Sequence, residues 1–237
     1  MHAVKIVTWN INGIKARIDN LQTWLKESDP DIVCLQEIKS VDEAFPRLEI
    51  EALGYHVETH GQKGFNGVAI LSKKSPDEVN RGLPGDDTDD HARFMEAVFS
   101  IEGGSLRVAS IYLPNGNPVD TPKFPYKLSW MERLEAFAAE RLALEEPLFR
   151  PESREAFRRL ENLGFTDAIR AVNDQPKTYT FWDYQAGAWP KNNGIRIDHL
   201  MLSPEVADRL RSASVEKHVR GWERPSDHVP VAISLAI

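Results

Sequence analysis

Ala3-Val4-Lys5-Ile6-Val7-Thr8-Trp9-Asn10-Ile11-Asn12-Gly13 passes from a β-branched apolar stretch straight into a compact polar signature. Val4, Ile6, Val7 and Thr8 favour extended backbone, because branched side chains pack well on a pleated surface. Asn12-Gly13 then supplies residues that tolerate a turn. Four other places repeat the design: Leu35-Gln36-Glu37, Tyr112-Leu113-Pro114-Asn115-Gly116, Arg196-Ile197-Asp198-His199 and Ser226-Asp227-His228 each lie at or beside an apolar run. Strands that end on one edge of a sheet carry such residues to a common site.

Outward from this stretch, short apolar runs predict strands at Ala3–Trp9, Asp31–Gln36, Gly54–Glu58, Gly67–Ser72, Phe94–Ile101, Leu106–Leu113, Asp198–Leu202, Val215–Val219 and Val229–Leu235. Ile14, Ile18, Leu21 and Leu25 recur at helix spacing. Leu128, Met131, Leu134, Phe137, Ala138 and Leu142 make a longer stripe on a segment that starts near Lys123. Phe157, Leu160 and Leu163 mark a third helix, with Pro151 near its start. Strands outnumber helices and many are joined by short links, so the fold class is α/β (α+β): packed sheets with helices outside. No Pro- or Ser-rich linker and no fixed-period repeat divides the chain, which predicts a single domain over 1–237.

Composition narrows the function. Hydrophobic residues at 41% and charged residues at 27% suit a soluble globular domain. A net charge of −7 argues against a wholly basic nucleic-acid binder but leaves room for a local basic patch. No run approaches the roughly 18 apolar residues of a membrane span. Met1–Val7 lacks a signal-peptide pattern, and the lone Cys34 sits in an apolar run without a disulfide partner. The expectation is a cytoplasmic protein with an inert thiol.

Each polar signature has an ordinary structural reading when taken alone, as a turn, a cap or a surface ion pair. Together, the Glu, Asp and Asn oxygens make a set suited to a hard cation such as Mg²⁺, which keeps several waters and binds substrate phosphate. No thiol cluster or histidine spacing favours zinc. His228 beside Asp227 offers a partner for a phosphoryl oxygen. Phosphodiester hydrolysis needs these parts: a metal to offset charge, donors for the transition state, and a base for water.

The five signatures, in this order, resemble the exonuclease III / AP endonuclease family within the endonuclease/exonuclease/phosphatase superfamily. His60-Gly61-Gln62-Lys63-Gly64-Phe65-Asn66-Gly67-Val68-Ala69-Ile70, Arg81-Gly82-Leu83-Pro84-Gly85-Asp86-Asp87, Lys123-Phe124-Pro125 and Phe181-Trp182-Asp183-Tyr184 are similar to family segments too, so the likeness covers nearly the whole chain. The resemblance implies a four-layered sandwich of two mixed β-sheets flanked by helices. It implies Mg²⁺, with Mn²⁺ as a substitute, on Asn10 and Glu37, with Asn12 beside them and Asp227 contributing. His228, oriented by Asp198, would contact the scissile phosphate or move a proton. Tyr112 resembles the family's active-site tyrosine, and Asn115 lies near the phosphate path. Trp182, between Phe181 and Tyr184, resembles the aromatic wall for an extruded abasic sugar. Lys63, Arg93 and Arg196, with Lys123 and Lys191, are candidates for backbone phosphate contacts.

One family segment is missing. The family carries a Gly-Asp-x-Asn motif on a central strand after the long helix, and its aspartate is held to activate the attacking water. Here Glu145-Glu146-Pro147-Leu148 passes at once to Phe149-Arg150-Pro151-Glu152-Ser153-Arg154, and no Gly-Asp-x-Asn occurs in the 237 residues. Either the chain has a native deletion or the whole protein is longer. The implied function is a monomeric DNA-repair nuclease acting on double-stranded DNA, as a 3′-to-5′ exonuclease and as an endonuclease that cuts 5′ to abasic sites and leaves a 3′-hydroxyl. Two alternatives stand beside it: a catalytically impaired DNA-binding module, and a superfamily phosphodiesterase for a phosphoinositide, a sphingolipid or RNA. The Gln62–Ile70 segment and the Phe181–Tyr184 aromatics favour the DNA-repair branch.

Overall fold

A computed structural model describes the backbone of residues 3–102, 104–142 and 153–236; the junction at Glu145–Glu152 lies outside the described residues. In chain order the strands are β1 (Ala3–Asn10), β2 (Ile32–Gln36), β3 (His56–His60), β4 (Val68–Ser72), β5 (Glu78–Arg81), β6 (Phe94–Ile101), β7 (Gly104–Ile111), β8 (Thr166–Asp167), β9 (Met201–Leu202), β10 (Leu210–Val215) and β11 (Val231–Ala236). The helices are α1 (Ile14–Ser28), α2 (Arg47–Glu51), α3 (Lys123–Leu142), α4 (Ser153–Asn162), α5 (Ala168–Val172) and α6 (Pro204–Ala207). Among the described residues, no helix is long and apolar enough to cross a membrane.

Alternation along β1 explains the layering. Val7 and Trp9 face one way and join Ile14, Leu21, Trp24 and Leu25 of α1 in one buried cluster. Val4 and Ile6 face the other way and meet Met95, Ala97 and Phe99 of β6, Leu106 of β7, Ala168 and Leu202. A third cluster sets Trp130 and Leu134 of α3 against Leu83 and Phe94. Helix, sheet, sheet and helix follow in turn, which is the expected four-layer order.

The first sheet has six strands in the order β10-β11-β1-β2-β4-β3. It is mixed, since β1 and β2 run parallel while β1 and β11 run antiparallel. The second layer differs from the expectation of one continuous sheet. It falls into a three-stranded antiparallel piece, β5-β6-β7, and a two-stranded piece, β8-β9. No described strand joins them.

Two edge strands escape the sequence reading for one reason. β5 and β10 are half or fully exposed along their length, so they show no apolar run. The strand expected at Val215–Val219 is a correction: β10 ends at Val215, and Lys217–Gly221 coil into a 3-10 turn. Glu216 turns the chain there. Its carboxylate accepts from Lys5 Nζ at 3.0 Å and Trp24 Nε1 at 2.6 Å, and Val219 drops into the α1-side core. The strand expected over Asp198–Leu202 shrinks to Met201–Leu202, because Asp198 is drawn aside by its own partners.

Candidate active site

The site collects where β1 and β2 end. Parallel pairing puts Asn10 level with Gln36, and Glu37 follows at once. Asn12, Glu37 and Lys39 all hold left-handed backbone, with φ of 48°, 51° and 51°. Such conformations cost free energy and persist where the surroundings impose them. The surroundings here are backbone bonds: Gly13 N to Glu37 O at 2.7 Å, Ile38 N to Gly67 O at 3.2 Å and Lys39 N to Asn66 O at 3.0 Å. Gly67 is required for that contact, since a Cβ on it would stand 2.5 Å from Ile38 Cγ1.

Asn10 Nδ2 donates to Glu37 Oε1 at 2.9 Å, and Asn12 N donates to Asn10 Oδ1 at 3.1 Å. Asn12 Nδ2 donates to Asp227 Oδ1 at 2.9 Å. Lys39 Nζ sits 2.8 Å from Glu37 Oε2 and also donates to Asn12 Oδ1. Burial alone would raise the Glu37 pKa, but donors on Lys39 and Asn10 and the Lys39 charge outweigh it and hold the group below its ordinary value. Tyr112 hydrogen bonds to Glu37, and Arg93 stacks over its ring at 4.9 Å. Burial and then the Glu37 charge push the Tyr112 hydroxyl up, so it stays a donor.

His228 approaches from the strand side. Ser226 Oγ donates to Asn10 O at 2.6 Å and accepts from His228 N at 3.2 Å, which ties this loop to β1. His228 Nδ1 lies 2.8 Å from Asp198 Oδ2 and 3.0 Å from Oδ1, and both residues are buried. A carboxylate accepts, so Nδ1 carries its proton and Nε2 is left for chemistry. Burial works to lower the His228 pKa; the charges of Asp198, Asp227 and Glu37 prevail and raise it. Thr180 Oγ1 accepts from the backbone of Ile197 and Asp198, at 3.1 and 3.2 Å, and so fixes the carboxylate.

The structure therefore brings Asn10, Asn12, Glu37, Tyr112, Asp198, Asp227 and His228 together, with Arg93 at the rim. It treats the other expected residues differently. Asn115 is exposed, and its side chain caps its own turn by accepting from Asn117 N at 3.2 Å. Lys63 is exposed on a loop. Arg196 is not a free phosphate contact: it pairs with Asp167 and lies 2.9 Å from His199 Nδ1, its side chain only 17% exposed. Trp182 is fully buried, edge-on to Trp189 and Tyr179, with Nε1 donating to Asn192 Oδ1 at 3.3 Å. Backbone bonds from Trp182 N to Asp227 O at 2.8 Å and from Val229 N to Thr180 O at 2.9 Å hold it in the core.

Apolar side chains beside Trp182, rather than Trp182 itself, are the ones next to His228 and open to solvent. Phe181 sets its ring edge-on to His228 at 4.9 Å between centroids. Phe181 pairs with Ile195 through the backbone, and Ile195 and Ile197 stand 52% and 48% exposed next to Asp198. Apolar side chains thus stand exposed beside the buried Asp198–His228 pair. Lys39, two residues after Glu37, was also missed; an ammonium beside a carboxylate is too common in sequence to signal a role.

The oxygens present suit a divalent ion held by one or two carboxylates, with water and substrate completing its shell. Glu37 is such a carboxylate, with Asn10 and Asp227 beside it, and Lys39 marks the place as one that balances positive charge. Among the described residues no group of three or more His, Cys, Asp or Glu gathers to hold a metal on its own. The fit is to a cation shared with substrate.

An α/β sandwich with asparagine, glutamate, aspartate and histidine at one sheet edge defines a class built around phosphate-ester chemistry. The Endonuclease/Exonuclease/phosphatase family model matches residues 7–228, and the chain belongs to that family. It is 32% identical to exodeoxyribonuclease III of Haemophilus influenzae, over 96% of this chain and 98% of that protein. It is 30% identical to an exodeoxyribonuclease of Bacillus subtilis, over 99% and 100%. Its fold superposes on a Neisseria 3′ phosphatase bound to a product DNA hairpin with a TM-score of 0.90 and 33% identity, covering 99% of this chain and 100% of that one. An AP endonuclease from Archaeoglobus fulgidus gives 0.87 and 33%, covering 99% and 100%. The Haemophilus alignment runs over 262 positions against a chain of 237, so that relative carries residues with no counterpart here.

Proposed function

We propose that this chain is a Mg²⁺-dependent DNA-repair phosphodiesterase, monomeric and cytoplasmic, that removes nucleotides from 3′ ends of double-stranded DNA and cuts 5′ to abasic sites, leaving a 3′-hydroxyl. The observation that carries it is the buried Asp198–His228 pair standing over the same sheet edge as Asn10, Glu37 and Tyr112. His228, held by Asp198 through Nδ1, presents Nε2 to a phosphoryl oxygen as a charged donor. Tyr112 keeps its proton and offers a second donor. Asn10 orients Glu37 through its amide. A divalent ion on Glu37, with Asn10 and Asp227 alongside, would offset charge on the phosphate and the leaving oxygen. Phe181, Ile195 and Ile197 give an extruded abasic sugar an apolar face, and a nucleotide without a base is cheaper to flip than a paired one.

The missing Gly-Asp-x-Asn favours a second reading, a DNA-binding module with a weakened chemical step. A positioned base contributes about 10²–10⁴-fold, so a verified 237-residue chain turns over slower than its relatives by that order. Intact mass and a nicking assay on abasic duplex, with and without Mg²⁺, test both readings. Mg²⁺-dependent incision supports the first. DNA binding without incision at 26.8 kDa supports the second, and a preference for phospholipid headgroups over abasic DNA sinks both.

A further inference from the structure

Asp198, which fixes His228, stands on irregular chain: residues 196–200 run between the bridge of Ile195 to Phe181 and the start of β9. Side chains hold this stretch from two sides. Thr180 Oγ1 takes the Ile197 and Asp198 amides on one. On the other, a single oxygen of Asp167, Oδ2, accepts from Arg196 Nη1 and lies 2.9 Å from His199 Nδ1. A carboxylate accepts, so His199 Nδ1 carries a proton, and its 2.9 Å approach to Arg196 Nη1 is that of two donors sharing one oxygen. Arg196 and His199 stand two residues before Asp198 and one after it, so the shared oxygen grips both flanks of the catalytic carboxylate.

Asp167 is anchored in its turn. It is buried, it pairs with Met201 across β8 and β9, and the Ala168 amide after it donates to Leu200 O at 2.9 Å. Its second oxygen, Oδ1, accepts from Arg170 N at 3.2 Å and caps α5, which lies against β10. We propose that Asp167 is a positioning residue for the phosphodiester step: by gripping Arg196 and His199 it sets the Asp198 carboxylate against His228 Nδ1. The inference rests on the assignment of Asp198 and His228 to that step. A displacement of about 1 Å in a catalytic group can cost about 10²-fold in rate, so Asp167 acts on turnover without touching substrate. Held on Asp167, Arg196 and His199 are also kept from turning onto the Asp198 carboxylate, whose two oxygens stay with His228.

The test compares the parent chain with Asp167→Asn, His199→Leu and His199→Asn, each at a temperature where circular dichroism shows it folded. Two quantities are read: hydrogen exchange of the His228 Nδ1 proton by NMR, and kcat and KM for Mg²⁺-dependent incision of abasic duplex. Asp167→Asn and His199→Leu are expected to speed that exchange by about tenfold or more. They should lower kcat by about tenfold to a hundredfold, with KM within about twofold of the parent. His199→Asn, whose amide can donate where Nδ1 did, should return both readings toward the parent. His199→Leu leaves Arg196 paired with Asp167, so the two His199 variants carry the test should Asp167→Asn fail to fold. A merely structural role would lower the melting temperature yet leave exchange and kcat of the folded variants at parent values, and that result overturns the proposal while the nuclease reading stands. A parent that does not incise removes the nuclease reading, and exchange of the Nδ1 proton then decides the grip alone. Fast exchange in His199→Leu with slow exchange in His199→Asn supports it, and equal exchange in the two overturns it.

Discussion

His228 and Asp198 meet through a single ring nitrogen, Nδ1, at 2.8 Å from one carboxylate oxygen and 3.0 Å from the other. Thr180 Oγ1 accepts from the Ile197 and Asp198 amides and so holds the backbone that carries this carboxylate. That geometry fixes the tautomer and the direction of Nε2 together, before any substrate binds. Asp198→Asn presents an amide that can turn its NH₂ toward Nδ1 and expel the proton. Phosphodiester turnover is expected to fall by about 10²–10⁴-fold. Nitrogen NMR of His228 supplies a readout independent of turnover: the variant loses the proton on Nδ1, and an Nδ1 that stays protonated refutes the assignment.

Trp182 and Phe181 are neighbours with different surroundings: Trp182 is fully buried, and Phe181 is half-buried with its ring edge-on to His228. Trp182 is buried among Ala188, Val229, Tyr179 and Trp189, so Trp182→Ala leaves a cavity and is expected to cost about 3–5 kcal/mol of stability by denaturant unfolding. Ile195 and Ile197 are half exposed, and their alanine variants should unfold within about 0.5 kcal/mol of the parent. Those two variants, with Phe181→Ala, should lose preference for abasic over intact duplex in a competition binding assay. Loss of preference in a folded Trp182 variant alone would reverse the assignment.

The sequence carried the central strands because β2, β4 and most of β1 and β6 are buried and read as largely apolar runs. It could not show β5 and β10, whose exposed edges are as polar as loops. Asn10 and Glu37 were legible as site candidates because they stand directly at strand ends. Phe181-Trp182 was legible as aromatic but not as to which ring faces out. That choice is made by strand-like pairing of Phe181 with Ile195 and of Trp182 N with Asp227 O, contacts distant in sequence. Arg196 misled for a similar reason: its partner Asp167 lies 29 residues away.

Asp167 provides a pH signature. Burial opposes its ionisation, but donors and charges on His199 and Arg196 prevail and hold its carboxyl well below the usual carboxylate range. A folded pKa below the unfolded one, about 4 for an aspartate, contributes stability that is present above the unfolded value. The contribution fades as pH falls through the folded value. Asp167→Asn strands the mostly buried Arg196 and is expected to cost about 3 kcal/mol or more at pH 7. In urea titrations from pH 7 to pH 2, the gap between parent and variant should stay constant down to about pH 4 and then narrow. A gap that widens with acid would show that Asp167 is not the group held low.

Glu37 is bonded to Asn10, Lys39 and Tyr112 in the free protein, so a metal must share it rather than find it idle. A ligand that binds only the folded chain raises stability by RT ln(1 + [L]/Kd), about 1.4 kcal/mol at tenfold excess over Kd. Mg²⁺ should therefore raise the melting temperature of the parent in a manner that saturates, measured against KCl at equal ionic strength to remove screening. Glu37→Gln keeps the shape and the hydrogen bond from Asn10 but removes the charge, and should abolish that rise. The variant also loses its ion pair with Lys39, so its melting temperature without metal will itself move. The diagnostic quantity is the increment on adding Mg²⁺, which separates metal binding from that baseline. An increment unchanged in Glu37→Gln would place the metal on other oxygens, Asp227 first among them.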